Sequence, residues 1–185
     1  MASTVEIVIP VLNEERALPG CLRQLVEFTN GLPDREWRFL VADNGSEDRT
    51  RDVATELAEE NPAIGVMRLE QRGRGRAVRQ AWLESDADVR CYMDVDLSTD
   101  LKSLPDLVSA VADEGYDLAI GSRLLRDSEV VDRPFTREVT SRGYSLIFRS
   151  MFFTSFKDAQ CGFKAIGAEA ARKLLPLVRD NGWFF

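Results

Sequence analysis

Histidine is absent from all 185 residues. That single absence removes Ser-His-Asp and Cys-His catalysis and any zinc or iron site built on imidazole. A metal held by this chain must sit among oxygen ligands, which selects Mg2+ or Mn2+. Cysteine is scarce too. Cys21, Cys91 and Cys161 lie far apart and form no C-x-x-C pair, so neither a zinc site nor a disulfide framework is expected and a reducing compartment fits best. No apolar run reaches the length of a bilayer span. The opening stretch "TVEIVIPVLNEE" lacks the basic flank and the apolar length of a secretory signal. Basic residues are outnumbered, 24 Lys and Arg against 31 Asp and Glu, and the net charge of −7 leaves no general footprint for nucleic acid.

What is present is an ordinary globular composition, 44% hydrophobic and 30% charged, in a chain long enough for one well-buried domain. Apolar β-branched runs alternate with amphipathic helical patterns: "VEIVIPV" then "ALPGCLRQLVEF", "WRFLVA" then "RTRDVATELAEE", "IGVMRL" then "GRAVRQAWLE", "VRCYM" then "LPDLVSAVADE", and then "YDLAIG". That alternation predicts an α/β, Rossmann-like fold with a mainly parallel sheet flanked by helices. The last third is less regular. "VTSRGYSLIFRSMFFTSF" reads as a helix with an aromatic face, "GFKAIG" as a short strand and "EAARKLLPLV" as a helix. The sequence stops on the apolar "GWFF", so we expect residues 1–185 to be a single domain truncated at its C-terminus.

In an open α/β sheet, ligands bind in the crevice beyond the carboxyl ends of the strands. The four leading strands end in "LNEE" (Leu12 to Glu15), "DNGSEDRT" (Asp43 to Thr50), "EQRGRGRA" (Glu70 to Ala77) and "DVDLS" (Asp94 to Ser98), all rich in groups that bind polar ligands. Each has a plain structural reading beside the functional one. Asn13 with Glu14 and Glu15 matches a helix N-cap with an acidic first turn. "DNGS" makes a good turn that Asp43 would close, and "GRGR" supplies glycines that a strand-to-helix turn needs for backbone reasons alone. The acidic pair resists such treatment. Asp94 and Asp96, continuing a strand, would project to one side at short range and repel. The next helix has its own start signal in Ser103-Leu104-Pro105-Asp106, so neither is needed as a cap. A divalent cation completed by a bound diphosphate would resolve the repulsion.

In this order, "VIPVLNEE", "ADNGSEDRT", "RGRGRAVR", "MDVDLS", "GSR" and "DAQCGFK" resemble the family 2 glycosyltransferases of GT-A fold, and within them the polyprenyl-phosphate hexosyltransferases. "RGRGRAVR" and "DAQCGFK" look more like dolichyl-phosphate glucosyltransferase, whereas Leu97 to Thr99 is closer to the mannosyl enzymes, so UDP-glucose and GDP-mannose both stand as donors. The resemblance implies a nucleotide-sugar donor and a lipid monophosphate acceptor. It implies that Pro10, Asn13, Glu14 and Asp43 line a nucleoside pocket. Asp94 and Asp96 would form the DxD motif that holds Mg2+ or Mn2+ against the diphosphate, and Gly75 and Arg76 would belong to the donor site.

Leaving-group charge would be stabilised by the metal, with help from Arg74 or Arg76. The expected outcome is inversion at C1, and an acceptor phosphate already anionic at neutral pH needs no strong base. Asp158 reads as a base for a hydroxyl acceptor, as a group orienting sugar or acceptor, or as a turn cap. Arg123 and Arg142 read either as clamps on the acceptor phosphate or as surface arginines. The stretch Arg133 to Lys157 mixes basic and aromatic residues and reads either as a helix lying at a membrane surface or as a core helix. The competing functions are transfer to a saccharide hydroxyl and a catalytically silent nucleotide-sugar binding module. The expected setting is cytoplasmic and peripheral to the membrane.

Overall fold

The computed structural model describes residues 2–121 and 161–182. The expected alternation is there: β1 (Ser3–Val11), α1 (Leu18–Asn30), β2 (Arg35–Asp43), α2 (Thr50–Glu60), β3 (Ile64–Arg68), α3 (Arg74–Glu84), β4 (Val89–Met93), α4 (Leu104–Ala112), β5 (Leu118–Ile120), β6 (Phe163–Gly167) and α5 (Ala168–Leu174). The six strands form one sheet in the order β3-β2-β1-β4-β6-β5. The strands β1 to β4 run parallel, with Val8 level with Leu40 on one side and Tyr92 on the other. β6 runs antiparallel to both β4 and β5. The chain builds outward from β1 to β3, then returns to place β4 on the opposite side of β1, and this reversal opens a crevice at the carboxyl ends of β1 and β4.

Alternate side chains of the sheet feed two cores. On one face Val5, Ile7, Ile9 and Val11 meet Leu18, Leu22 and Leu25 of α1 and Leu104, Leu107 and Val108 of α4. The α1 contacts fall at the three- and four-residue spacing of a helix stripe. On the other face Val8, Ala42, Tyr92 and Ile166 pack on Ala77, Val78, Ala81 and Trp82 of α3 and on Ala170 and Ala171 of α5. The Trp82 indole N–H donates to the Cys91 carbonyl at 3.1 Å, which satisfies the polar end of a buried ring. Each large apolar side chain so buried contributes about 1.5–3 kcal/mol.

At the amino end of the second face, Glu6 stands in register between Arg38 and Arg90. Arg90 is buried and donates to the Ser85 carbonyl at 2.6 Å. Burial pushes the Glu6 carboxyl above its usual range and Asp86 adds to this, against the Ser85 hydrogen bond and the charges of Arg38 and Arg90.

Two local expectations change. The S-x-x-D cap at Ser103 does not form, because a 3-10 turn over Leu101–Ser103 runs directly into α4 and leaves Ser103 in helical geometry. Asp100 caps that turn instead, accepting the Lys102 N–H at 3.0 Å. The helix expected over "EAARKLLPLV" tightens into a 3-10 turn at Leu175–Leu177, where Pro176 has no N–H to continue the ladder. The helix expected within Arg133 to Lys157 lies outside the described residues. Among the described residues no helix is long and apolar enough to cross a membrane.

Candidate active site

The chain leaves β1 through Asn13, whose φ of 57° is left-handed, a conformation that a short polar side chain tolerates when it bonds locally. Its Oδ1 accepts the Glu47 N–H at 2.9 Å and its own N–H donates to Ser46 Oγ at 3.0 Å. Glu14 N–H donates to Thr50 Oγ1 at 2.7 Å, and the Glu15 carboxylate accepts the Arg49 N–H at 3.0 Å. These bonds zip the loops after β1 and β2 together. Asn13 is therefore not an N-cap: α1 starts at Leu18, after Ala17. Pro10 is half-buried near the end of β1, level with Ala42. Asp43, the last residue of β2, is fully buried. Its Oδ1 accepts the Ser46 N–H at 2.9 Å, while its Oδ2 is buried with no hydrogen-bond partner. An orphaned buried acceptor costs about 1–3 kcal/mol, so this oxygen is one that a ligand donor would satisfy.

Asn44 links β2 to the glycine-rich turn, a role its place in "DNGS" did not reveal. It is buried, its N–H donates to the Val11 carbonyl at 2.9 Å, and its Oδ1 accepts the Gly73 N–H at 2.7 Å. Gly73 has φ of 152°, and a Cβ there would come within 2.5 Å of the Asn181 carbonyl oxygen, so only glycine fits. The first amides of α3 would ordinarily lack partners. Here Gly75 N–H donates to the Gly182 carbonyl at 2.9 Å and Arg76 N–H to the Asn181 carbonyl at 3.3 Å. Arg79 Nη1 adds a bond to the Val178 carbonyl at 2.6 Å, and the Arg76 guanidinium bonds the Arg72 carbonyl at 3.2 Å.

β4 stops at Met93, so strand alternation does not present Asp94 and Asp96. A turn does: Leu97 N–H donates to the Asp94 carbonyl at 3.1 Å, Leu97 has φ of 46°, and Asp96 Oδ1 accepts the Ser98 N–H at 3.0 Å. Asp94 is half-buried and Asp96 exposed. The Arg74 guanidinium bonds both Asp94 Oδ1 and the Tyr92 hydroxyl and lies 5.3 Å from the centre of the Tyr92 ring. That cation offsets the charge of the half-buried Asp94 carboxylate. Met93 pairs with Phe163, which sets Gly162 against Asp94; a Cβ there would lie 2.0 Å from Asp94 Oδ2. The glycine of "DAQCGFK" is thus a neighbour of the acidic turn, a link invisible along the chain. Cys161 and Cys21 are buried, and burial with the nearby Asp96 charge pushes the Cys21 thiol up to about 12. Arg123, Arg142 and Asp158 lie outside the described residues.

A carboxylate pair at the switch point, a pinned loop beside a buried Asp43 and a glycine-rich turn on α3 are linked at the carboxyl ends of the parallel strands. The family model of glycosyl transferase family 2 matches residues 6–175. The chain belongs to glycosyltransferase family 2. Within that family it is 38% identical to glycosyltransferase AglD of Haloferax volcanii, over 98% of this chain and 29% of AglD. It is 31% identical to the dolichyl-phosphate β-glucosyltransferase of Drosophila melanogaster, over 98% of this chain and 60% of that enzyme. The chain therefore spans only part of the length of these curated relatives. Its fold is the GT-A fold. A mannosyltransferase from Pyrobaculum calidifontis, solved with GDP-Man and Mn2+, superposes with a TM-score of 0.63 at 18% identity, covering 94% of this chain and 47% of its own.

Proposed function

We propose that residues 1–185 are the catalytic domain of an inverting hexosyltransferase that moves a hexose from UDP-glucose or GDP-mannose to a polyprenyl phosphate. The observation that carries this reading is the Asp94–Leu97 turn at the sheet's switch point, with two carboxylates one residue apart beside the Arg74 guanidinium. Asp94 and Asp96 offer only oxygen ligands, the donor set of Mg2+ or Mn2+, and Gly162 leaves open the space beside Asp94 Oδ2 that a Cβ would fill. These two residues would hold the ion. When bound, it supplies positive charge to the departing diphosphate. The neighbour solved with GDP-Man and Mn2+ supports a divalent ion and a nucleotide donor. The glucosyl relative supports a dolichyl-type phosphate acceptor.

The chain's own groups supply the remainder. Asp43 turns its unpartnered Oδ2 into an acceptor for a base N–H. Pro10, Asn13 and Glu14 wall the nucleoside on a loop that its own hydrogen bonds already hold. Arg74 and Arg76, with Gly75 between them, bring positive charge to the diphosphate side. An ionised acceptor phosphate attacks without a general base, which fits a chain that has no histidine. Arg123 and Arg142 pair with that phosphate and Asp158 orients sugar or acceptor, roles that rest on the family likeness. The buried cysteines, none of them in a disulfide, fit a reducing, cytoplasmic setting. The basic and aromatic Arg133 to Lys157 stretch supports peripheral contact with a membrane.

The deciding experiment supplies purified protein with labelled UDP-glucose or GDP-mannose and either polyprenyl phosphate or oligosaccharides. Inverted product on the lipid phosphate is expected. Product on oligosaccharides alone would transfer the reading to a hydroxyl acceptor with Asp158 as base, and nucleotide binding with no turnover would leave a binding module.

A further inference from the structure

We propose that Arg74 is a stand-in cation: it holds Asp94 in the ligand-free protein, then hands it to the divalent ion and turns to the donor diphosphate. This rests on the reading of Asp94 and Asp96 as metal ligands. Arg74 bonds Asp94 Oδ1, and the Tyr92 hydroxyl approaches the same oxygen at 3.4 Å. A guanidinium and a divalent ion on one carboxylate compete for its charge and repel each other, so arrival of the ion weakens the bond between Arg74 and Asp94.

The backbone around Arg74 is fixed while its side chain has somewhere to go. Gly73 N–H is held by Asn44 Oδ1, and the Gly75 and Arg76 amides are held by the Gly182 and Asn181 carbonyls. Those amides are already engaged, so phosphate charge arriving at this turn meets side chains first, and Arg74 carries the planar fork that suits phosphate oxygens. The Tyr92 ring and hydroxyl already contact the guanidinium, so they keep the cation at the site as its bond to Asp94 loosens. The metal alone must then bind weakly, because it competes with Arg74. Metal and diphosphate together bind well, because the diphosphate offers Arg74 a new partner.

The test measures Mn2+ binding to purified protein by the electron-paramagnetic-resonance signal of free Mn2+, with and without UDP, for wild type and Arg74→Gln. Removing the competitor restores the fraction of free Asp94, so Arg74→Gln should bind Mn2+ on the order of tenfold more tightly without UDP. With UDP present the advantage should vanish or reverse. Wild type that binds Mn2+ beside a folded Arg74→Gln that binds it no more tightly overturns the exchange and leaves the metal reading intact. Wild type that takes up no Mn2+ in either condition overturns both. Should Arg74→Gln fail to fold, arginine side-chain NMR spectra of wild type decide the matter: the Arg74 signal should move on adding Mg2+ and UDP together, and a signal that stays in place overturns the proposal.

Discussion

Replacing either carboxylate of the Asp94–Leu97 turn by its amide keeps the shape and removes the charge. Asp94→Asn and Asp96→Asn should each lower turnover by on the order of 10²-fold or more, read as initial rates at saturating donor and metal. Unchanged rates, or full activity of wild type in excess chelator, would defeat the metal assignment. Gly162→Ala tests the same turn from the other side. A Cβ at 2.0 Å from Asp94 Oδ2 must push that carboxylate away, so activity should fall at least tenfold while the folded state persists in circular dichroism. The acidic pair stood out in the sequence because two carboxylates so close along the chain call for a cation, and in the structure Arg74 bonds Asp94; the strand alternation and the Ser103 cap that framed the reading are both absent. Gly162 and Asn44 were not legible as partners of Asp94 and Gly73. Contacts between distant segments leave no local period or spacing to read.

At the scale of elements, short apolar β-branched runs and helical patterns located every described strand and α-helix, because burial in the sheet or along a helix stripe writes itself into apolar spacing. Direction does not. "GFKAIG" has the same apolar run whichever way it lies, and the antiparallel course of β6 follows from where the chain returns, not from its residues. The Ser103 signal misled for a related reason: a capping pattern holds only if the preceding residues are extended, and here they turn. β6 carries real packing weight. Phe163 is buried in the first core, so Phe163→Ala should cost about 3–5 kcal/mol in urea unfolding. A loss below 1 kcal/mol would mean that β6 adds little to the domain.

For the molecule as a whole, pH and surfaces matter. The Glu6 carboxyl has a folded pKa above its usual 4.5, so its contribution is fully present below that value and is lost as pH rises through the raised one. Melting temperatures of wild type and Glu6→Gln, compared from pH 4 to 7, should therefore move in favour of the variant as pH rises; parallel profiles would refute this. Liposome co-sedimentation with and without anionic lipid tests peripheral attachment: binding that strengthens with anionic lipid is expected, and none in either case removes the membrane role from Arg133 to Lys157. The strand order has a consequence for biosynthesis. β5 pairs only with β6 among the described strands, and β4 receives its outer neighbour from the same late segment. A ribosome adding about 5–20 residues per second delivers β5 several seconds before its partner. During that interval the nascent sheet carries an open, apolar edge at β4, which makes this stage of translation the one at which a holding chaperone has most to protect.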